Sequence, residues 1–137
     1  VNVWVALTYG GHEHHGIASS WFDTLDMEER VCFCRFTQLS LLRLLTTAAV
    51  MGADETMTQA EAWQAYDRWM EDGRVFFIEE PPRLEGVFRS LSRRAAPNPK
   101  NWSDAYLAAF ATVSDMRFVT FDKALQSKVE NALLLED

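Results

Sequence analysis

Asp104 and Asp122 are the residues whose type and setting could do chemistry, because each stands in a short pattern that opens a helix. In Trp102-Ser103-Asp104-Ala105-Tyr106-Leu107-Ala108-Ala109-Phe110-Ala111, Ser103 suits a helix cap. Asp104 then shares a face with Leu107, Ala108 and Ala111 at helical spacing. That face is apolar, so the aspartate heads a stripe that turns inward. In Phe118-Val119-Thr120-Phe121-Asp122, a short β-branched and aromatic run ends on an acid that can cap the 123–130 stretch. Carboxylates at strand ends and helix starts are where open α/β sheets build their sites. Two of them aimed at one cleft repel unless a cation sits between them, and oxygen donors hold a hard divalent ion. The same positions also suit plain caps, since Asp satisfies free backbone N–H groups and favours the helix dipole. The inward face of Asp104 argues for more than a cap.

The elements that must position these acids follow from hydrophobic spacing. Ile17, Ala18, Trp21, Phe22 and Leu25 predict a helix from His14 that ends in the acidic 26–29 stretch. Residues 31–34 read as a buried strand. A helix from 37 to about 50 follows, apolar around much of its circumference through Leu41, Leu42, Leu44 and Leu45. Gly52-Ala53-Asp54 breaks the chain. Thr58-Gln59-Ala60-Glu61 is a capping box that opens a third helix carrying Ala62, Trp63, Tyr66, Trp69 and Met70. Gly73 and Pro81-Pro82 bound a strand at 74–78, a helix covers roughly 83–94, and the 96–101 loop delivers the chain to the Asp104 helix. After the Phe118 strand and the short helix from Asp122, residues 132–135 read as an edge strand. Alternation of strands and helices means an α/β fold, a parallel sheet with helices on both faces. At 137 residues, the expectation is a single domain over 1–137.

Composition removes several function classes. No run of about 18 apolar residues occurs, so no membrane span is expected. The start, Val1-Asn2-Val3-Trp4, lacks the basic region and cleavage site of a signal peptide. A net charge of −7 argues against holding nucleic acid by bulk electrostatics. Arg83, Arg89, Arg93, Arg94 and Lys100 nevertheless gather around the Pro97-Asn98-Pro99 loop, as a solvated face or as a local hold on a phosphate backbone. Cys32 and Cys34, two apart on one strand, are poorly placed for a disulfide and read as buried free thiols of a reducing, cytoplasmic protein. They fit no zinc pattern. His12, His14 and His15 crowd one loop-to-helix junction, where surface or capping roles fit better than ligation. Gln38 leads the inward stripe of the Leu-rich helix and needs a partner, either near the acidic pair or in the local backbone. No His-Glu-x-x-His, phosphate-binding glycine loop or Gly-x-Ser-x-Gly elbow is present. Trp63 and Trp69 would suit a partner groove or a homodimer face, and core packing is the alternative for each.

Taken jointly, Val1-Asn2-Val3-Trp4-Val5-Ala6-Leu7, Phe33-Cys34-Arg35-Phe36-Thr37-Gln38-Leu39, Arg43-Leu44-Leu45-Thr46, Ser103-Asp104-Ala105-Tyr106-Leu107-Ala108-Ala109 and Val119-Thr120-Phe121-Asp122 resemble the PIN-domain family of VapC-type toxins. The resemblance spans nearly the whole chain. It implies a three-layer α/β/α domain around a central parallel sheet, whose first strand and first acid would stand before Val1. On that pattern the 1–7 segment is a helix, although its alternating valines alone would pass for a strand. It further implies a Mg²⁺- or Mn²⁺-dependent endoribonuclease toxin with an RNA substrate, a VapB-type antitoxin partner and a homodimeric assembly. Asp104 falls on the family's third acid and Asp122 on its fourth, as metal ligands and catalytic residues. Ser103 and Thr120 would support them, and Asn2 and Gln38 would line the same cleft. Gln38 stands where the family usually has Glu, so this sequence holds two of the four expected carboxylates. A catalytically silent PIN-like module that binds RNA or a protein is therefore the alternative expectation.

Overall fold

Val3, Trp4, Val5, Ala6 and Leu7 are all buried, which a strand with one wet face does not allow. The segment is helix α1 (Asn2–Thr8), as the family pattern implies and the alternating valines do not. The structure, a computed structural model, describes residues 2–129 and 131–136, so Val1 lies outside the described residues. These residues form two units, one ending at Glu79 and one running from Glu80 to Glu136.

In the first unit, α1 is followed by α2 (His15–Asp23), β1 (Val31–Phe33), α3 (Arg35–Leu45), α4 (Ala48–Met51), α5 (Gln59–Met70) and β2 (Val75–Phe77). β1 and β2 pair in parallel, with Val31 opposite Val75 and Phe33 opposite Phe77. A parallel pair needs a long crossover, and α3 to α5 supply it. The core is aromatic. Trp4 stacks on Phe33 at 3.9 Å, Tyr66 meets Phe33 edge-on at 4.9 Å, and Trp69 meets Trp4 and Phe22 edge-on. The Trp69 indole N–H donates to Thr8 Oγ1 at 2.8 Å, which satisfies its one donor inside this packing.

Arg74 ties the end of α2 to the start of β2. Its guanidinium donates to the carbonyls of Phe22 and Leu25, both at 3.0 Å, lies 4.0 Å from the Phe22 ring centroid, and forks onto Asp72. That hydrogen-bonded guanidinium holds the Asp72 carboxyl below its ordinary range.

Three expectations need correction here. The 37–50 helix is two helices, because the Thr46 and Thr47 hydroxyls bond back to the carbonyls of Leu42 and Arg43 and close α3 at Leu45. Its circumference is also less apolar in use than in composition, since Leu39 is 62% exposed. The 31–34 strand ends at Phe33, and Cys34 becomes the residue that opens α3, its N–H donating to Thr37 Oγ1 at 2.9 Å. Both cysteines are free thiols as expected, but only Cys34 is buried, Cys32 is half-buried, and Cys34 lies outside β1. Burial raises the Cys32 thiol pKa.

The second unit packs small residues beside its rings. It consists of α6 (Leu84–Ser92), α7 (Asn101–Val113), β3 (Phe118–Thr120), α8 (Lys123–Lys128) and β4 (Ala132–Leu134), with β3 and β4 parallel. Ala105, Ala108, Ala109, Phe110 and Ala111 are buried along α7. Ala108 packs with Leu125 and Val129, flanked by Phe118 and Ala132. α7 ends in a Schellman turn: the N–H of Met116 donates to Ala111 O at 2.8 Å and that of Asp115 to Thr112 O, with Asp115 at φ 54°. The α/β class and the parallel pairing thus hold in both units. The expected 132–135 edge strand is β4, and Glu130 lies outside the described residues. Among the described residues no helix is long and apolar enough to cross a membrane.

Candidate active site

The two aspartates differ in what their carboxylates already do. Asp122 is the N-cap of α8: its Oδ1 accepts from the backbone N–H groups of Ala124 at 2.9 Å and Leu125 at 3.1 Å. Its own N–H donates to Oγ1 of buried Thr120 at 3.0 Å, so β3 and the cap are fastened as one piece. Oδ2 is left outside these bonds. Asp104 makes no capping bond. It lies in the first turn of α7, half-buried, and its side chain has no hydrogen bond or ion pair among the described residues. The helix N-terminus favours a negative charge there by about 0.3–1 kcal/mol. Asp104 thus keeps both carboxylate oxygens free of hydrogen bonds among the described residues, whereas Asp122 has a structural role as well.

Ser103 is not a cap. The bond from Asn101 N–H to Asn98 O turns the chain early, Lys100 takes the helical backbone before α7 begins at Asn101, and Ser103 becomes an exposed third residue of the helix. The residue that sequence reading missed is Asn101, one turn ahead of Asp104 and buried, with its Oδ1 accepting from Arg94 at 3.3 Å. A polar amide three positions before an inward acid was the available signal.

Asn2 and Gln38 belong to the first unit, whereas Ser103, Asp104, Thr120 and Asp122 belong to the second. Asn2 is exposed at the head of α1. Gln38 is buried, and its amide oxygen accepts from the Arg35 guanidinium, which in turn lies 4.7 Å from the Phe77 ring centroid. That is neither of the partners expected, and the helical spacing of three between Arg35 and Gln38 was the signal for it. No hydrogen bond joins Asn2 to Gln38 among the described residues.

The histidines are occupied locally. His15 Nδ1 donates to Ala6 O at 2.7 Å, and His12 Nδ1 accepts from the His14 backbone N–H at 3.0 Å. Burial, then the neighbouring His14, lowers the His12 pKa. This matches the capping and surface roles expected for the cluster. Among the described residues, no group of three or more His, Cys, Asp or Glu side chains is arranged to hold a metal ion. Mg²⁺, however, is commonly bound through one or two carboxylates, with waters and substrate phosphates completing its shell. Asp104 and Oδ2 of Asp122 are each hard oxygen donors of that kind.

Comparison with known proteins agrees with the fold. The PIN domain family model matches residues 1–131, a span that runs through both units. Ribonuclease VapC41 of Mycobacterium tuberculosis is 44% identical over 126 residues, covering 90% of this chain and 86% of the relative. Ribonuclease VapC39 of the same organism is 29% identical over 134 residues, 98% of this chain and 94% of the relative. Ribonuclease VapC44, also from that organism, is 28% identical over 131 residues, covering 91% and 84%.

Proposed function

We propose, because this chain belongs to the PIN-domain family and groups within it with the VapC ribonucleases, that it is an endoribonuclease toxin that hydrolyses RNA phosphodiester bonds with Mg²⁺ or Mn²⁺. The match through both units supports one PIN domain over 1–137. The observation that carries the chemical part is Asp104, a half-buried carboxylate on the inward face of α7 with no partner among the described residues.

Asp104 would be the principal holder of the cation and Asp122 the second, through the oxygen its cap leaves over. When bound, such an ion orients the phosphate, lowers the pKa of an attacking water and stabilises charge on the leaving oxygen. Thr120 fixes the backbone of Asp122 and so the direction of its carboxylate. Ser103 offers an exposed hydroxyl beside Asp104 to a ligand water. A VapB-type antitoxin partner follows from the family. Free thiols at Cys32 and Cys34 suit a reducing, cytoplasmic setting.

The test is RNA cleavage by the full chain across a titration of MgCl₂ and MnCl₂, repeated with EDTA. Cleavage that saturates with either ion and stops with the chelator is the expected result. Cleavage unchanged by EDTA overturns the metal assignment. RNA binding without cleavage at any ion concentration favours the silent module instead.

A further inference from the structure

The chain is acidic overall, yet five of its thirteen basic residues fall within residues 83–102 against one acid, Glu85. Glu85 is taken by Arg89, at 3.0 Å. Arg94 folds back onto Asn101, while Arg93 and Lys100 close α6 and open α7 from opposite ends of the turn, both exposed and without an ion pair among the described residues. At the same turn stands Trp102, 60% exposed, with the Phe88 ring against its edge at 6.2 Å and Tyr106 beyond Phe88 at 5.9 Å. The indole is thus braced from α6 while most of its surface meets water. An exposed ring with cations around it is the pairing that single-stranded nucleic acids use: the ring takes a base face and the cations take phosphates.

Helical geometry relates this turn to Asp104. Lys100 is one turn before Asp104, so it lies along the same side of α7, whereas Trp102, two positions earlier, lies toward the opposite side, against α6. On the ribonuclease reading above, we propose that the α6–α7 turn is a substrate-positioning site for single-stranded RNA. Trp102 stacks a base of the strand outside the reacting bond, Lys100 holds the phosphate nearest Asp104, and Arg93 holds a further phosphate. None of the three touches the reacting atoms. A duplex, whose bases are already stacked, is a poorer ligand for this site.

The test measures binding and cleavage separately. Anisotropy of a fluorescein-labelled, mixed-sequence single-stranded RNA oligonucleotide is followed in EDTA with the full chain and its variants. Trp102→Ala should weaken binding about fivefold or more, since loss of one base stack has that order of effect, and Trp102→Phe should restore most of it. Lys100→Ala and Arg93→Ala should each lower the slope of log K against log salt by roughly 0.7, one phosphate contact on a single strand. In Mg²⁺, Trp102→Ala should raise KM more than it lowers kcat. Binding and salt slope unchanged in all three alanine variants overturn the proposal, as does equal binding of the same sequence as duplex. A change in sedimentation of Trp102→Ala with unchanged RNA affinity also overturns it and assigns the face to a second copy of the chain. Failure here is distinct from failure of the nuclease reading. Wild-type cleavage with an unaffected Trp102→Ala removes only this site, whereas Trp102-dependent binding without any cleavage removes only the nuclease.

Discussion

The first unit's core is built on rings and the second's on α7 alanines with Phe110 among them, and their polar groups differ as well. Around Trp4, Phe22, Phe33, Tyr66 and Trp69, the charged and polar side chains are spent internally: Arg74 on Asp72 and two carbonyls, Arg35 on Gln38, Trp69 on Thr8. Along α7, small side chains bring the helix close to its neighbours and leave Asp104, Lys100 and Trp102 with capacity unused. Stability and chemistry are thus unevenly placed along one chain. The first unit supplies packing and the second supplies groups that wait for a ligand.

The strongest way to break this contrast is inside the aromatic core. Phe33→Ala should cost about 3–5 kcal/mol, read as a lowered urea midpoint, because a fully buried ring in contact with Trp4 and Tyr66 leaves a cavity. The exposed ring of the second unit should behave otherwise, with Trp102→Ala within about 0.5 kcal/mol of the parent. Equal losses in the two variants would remove the distinction.

Next in size is the Arg74 tie. Arg74→Ala should lower the urea midpoint, since charge-assisted bonds to two part-buried carbonyls and to Asp72 disappear together. Its pH signature follows from Asp72, whose folded pKa lies below the ordinary 3.8 because Arg74 bonds the ionised form. The stabilisation is complete above that ordinary value and fades as pH falls through the lower, folded one. Asp72→Asn should therefore be less stable than the parent at pH 7, with the gap closing in thermal melts taken at successively lower pH below 3.8. A gap that stays constant across that window would place the role of Asp72 outside its charge.

Asp122 sharpens the comparison because it serves both purposes. Asparagine caps helices as well as aspartate does, so Asp122→Asn should keep stability and lose cleavage, whereas Asp122→Ala should lose cleavage and a further 0.5–2 kcal/mol, about the worth of a cap. Full activity in Asp122→Asn would reduce this residue to its cap. The smallest effect belongs to the turn after α7. Asp115→Gly relieves a left-handed backbone at φ 54° and should gain about 0.5 kcal/mol or less, because glycine's freer unfolded chain offsets part of the gain. A measured loss would mean that the Asp115 side chain stabilises the turn.

Local signals in the sequence carried far. The capping box at Thr58 and Glu61 opens α5 as its spacing requires, and Asp122 caps α8 as its place after a β-branched run requires. Positions governed by competing hydroxyls were less legible. Ser103 reads as a cap, but the turn set by Asn98 starts α7 earlier, and Thr46 and Thr47 end a helix whose leucines alone would continue it. Partners of buried amides were least legible, because an Arg35 bond to Gln38 or an Arg94 bond to Asn101 depends on rotamers that spacing does not specify. Of the two aspartates, the sequence separated one by its inward face, and the structure added the decisive difference: among the described residues, the Asp122 side chain is bonded and that of Asp104 is not. Trp69 went to the core, whereas Trp63 stays 47% exposed on α5.

The most direct measurement is the Asp104→Asn variant assayed for Mg²⁺-dependent RNA cleavage beside its thermal melt. Loss of a principal metal-holding carboxylate predicts kcat/KM reduced by about a hundredfold or more, with a melting temperature close to the parent's because the side chain has no hydrogen bond or ion pair to lose among the described residues. Cleavage at the parental rate, with or without a change in melting, would contradict the assignment of the chemistry to Asp104.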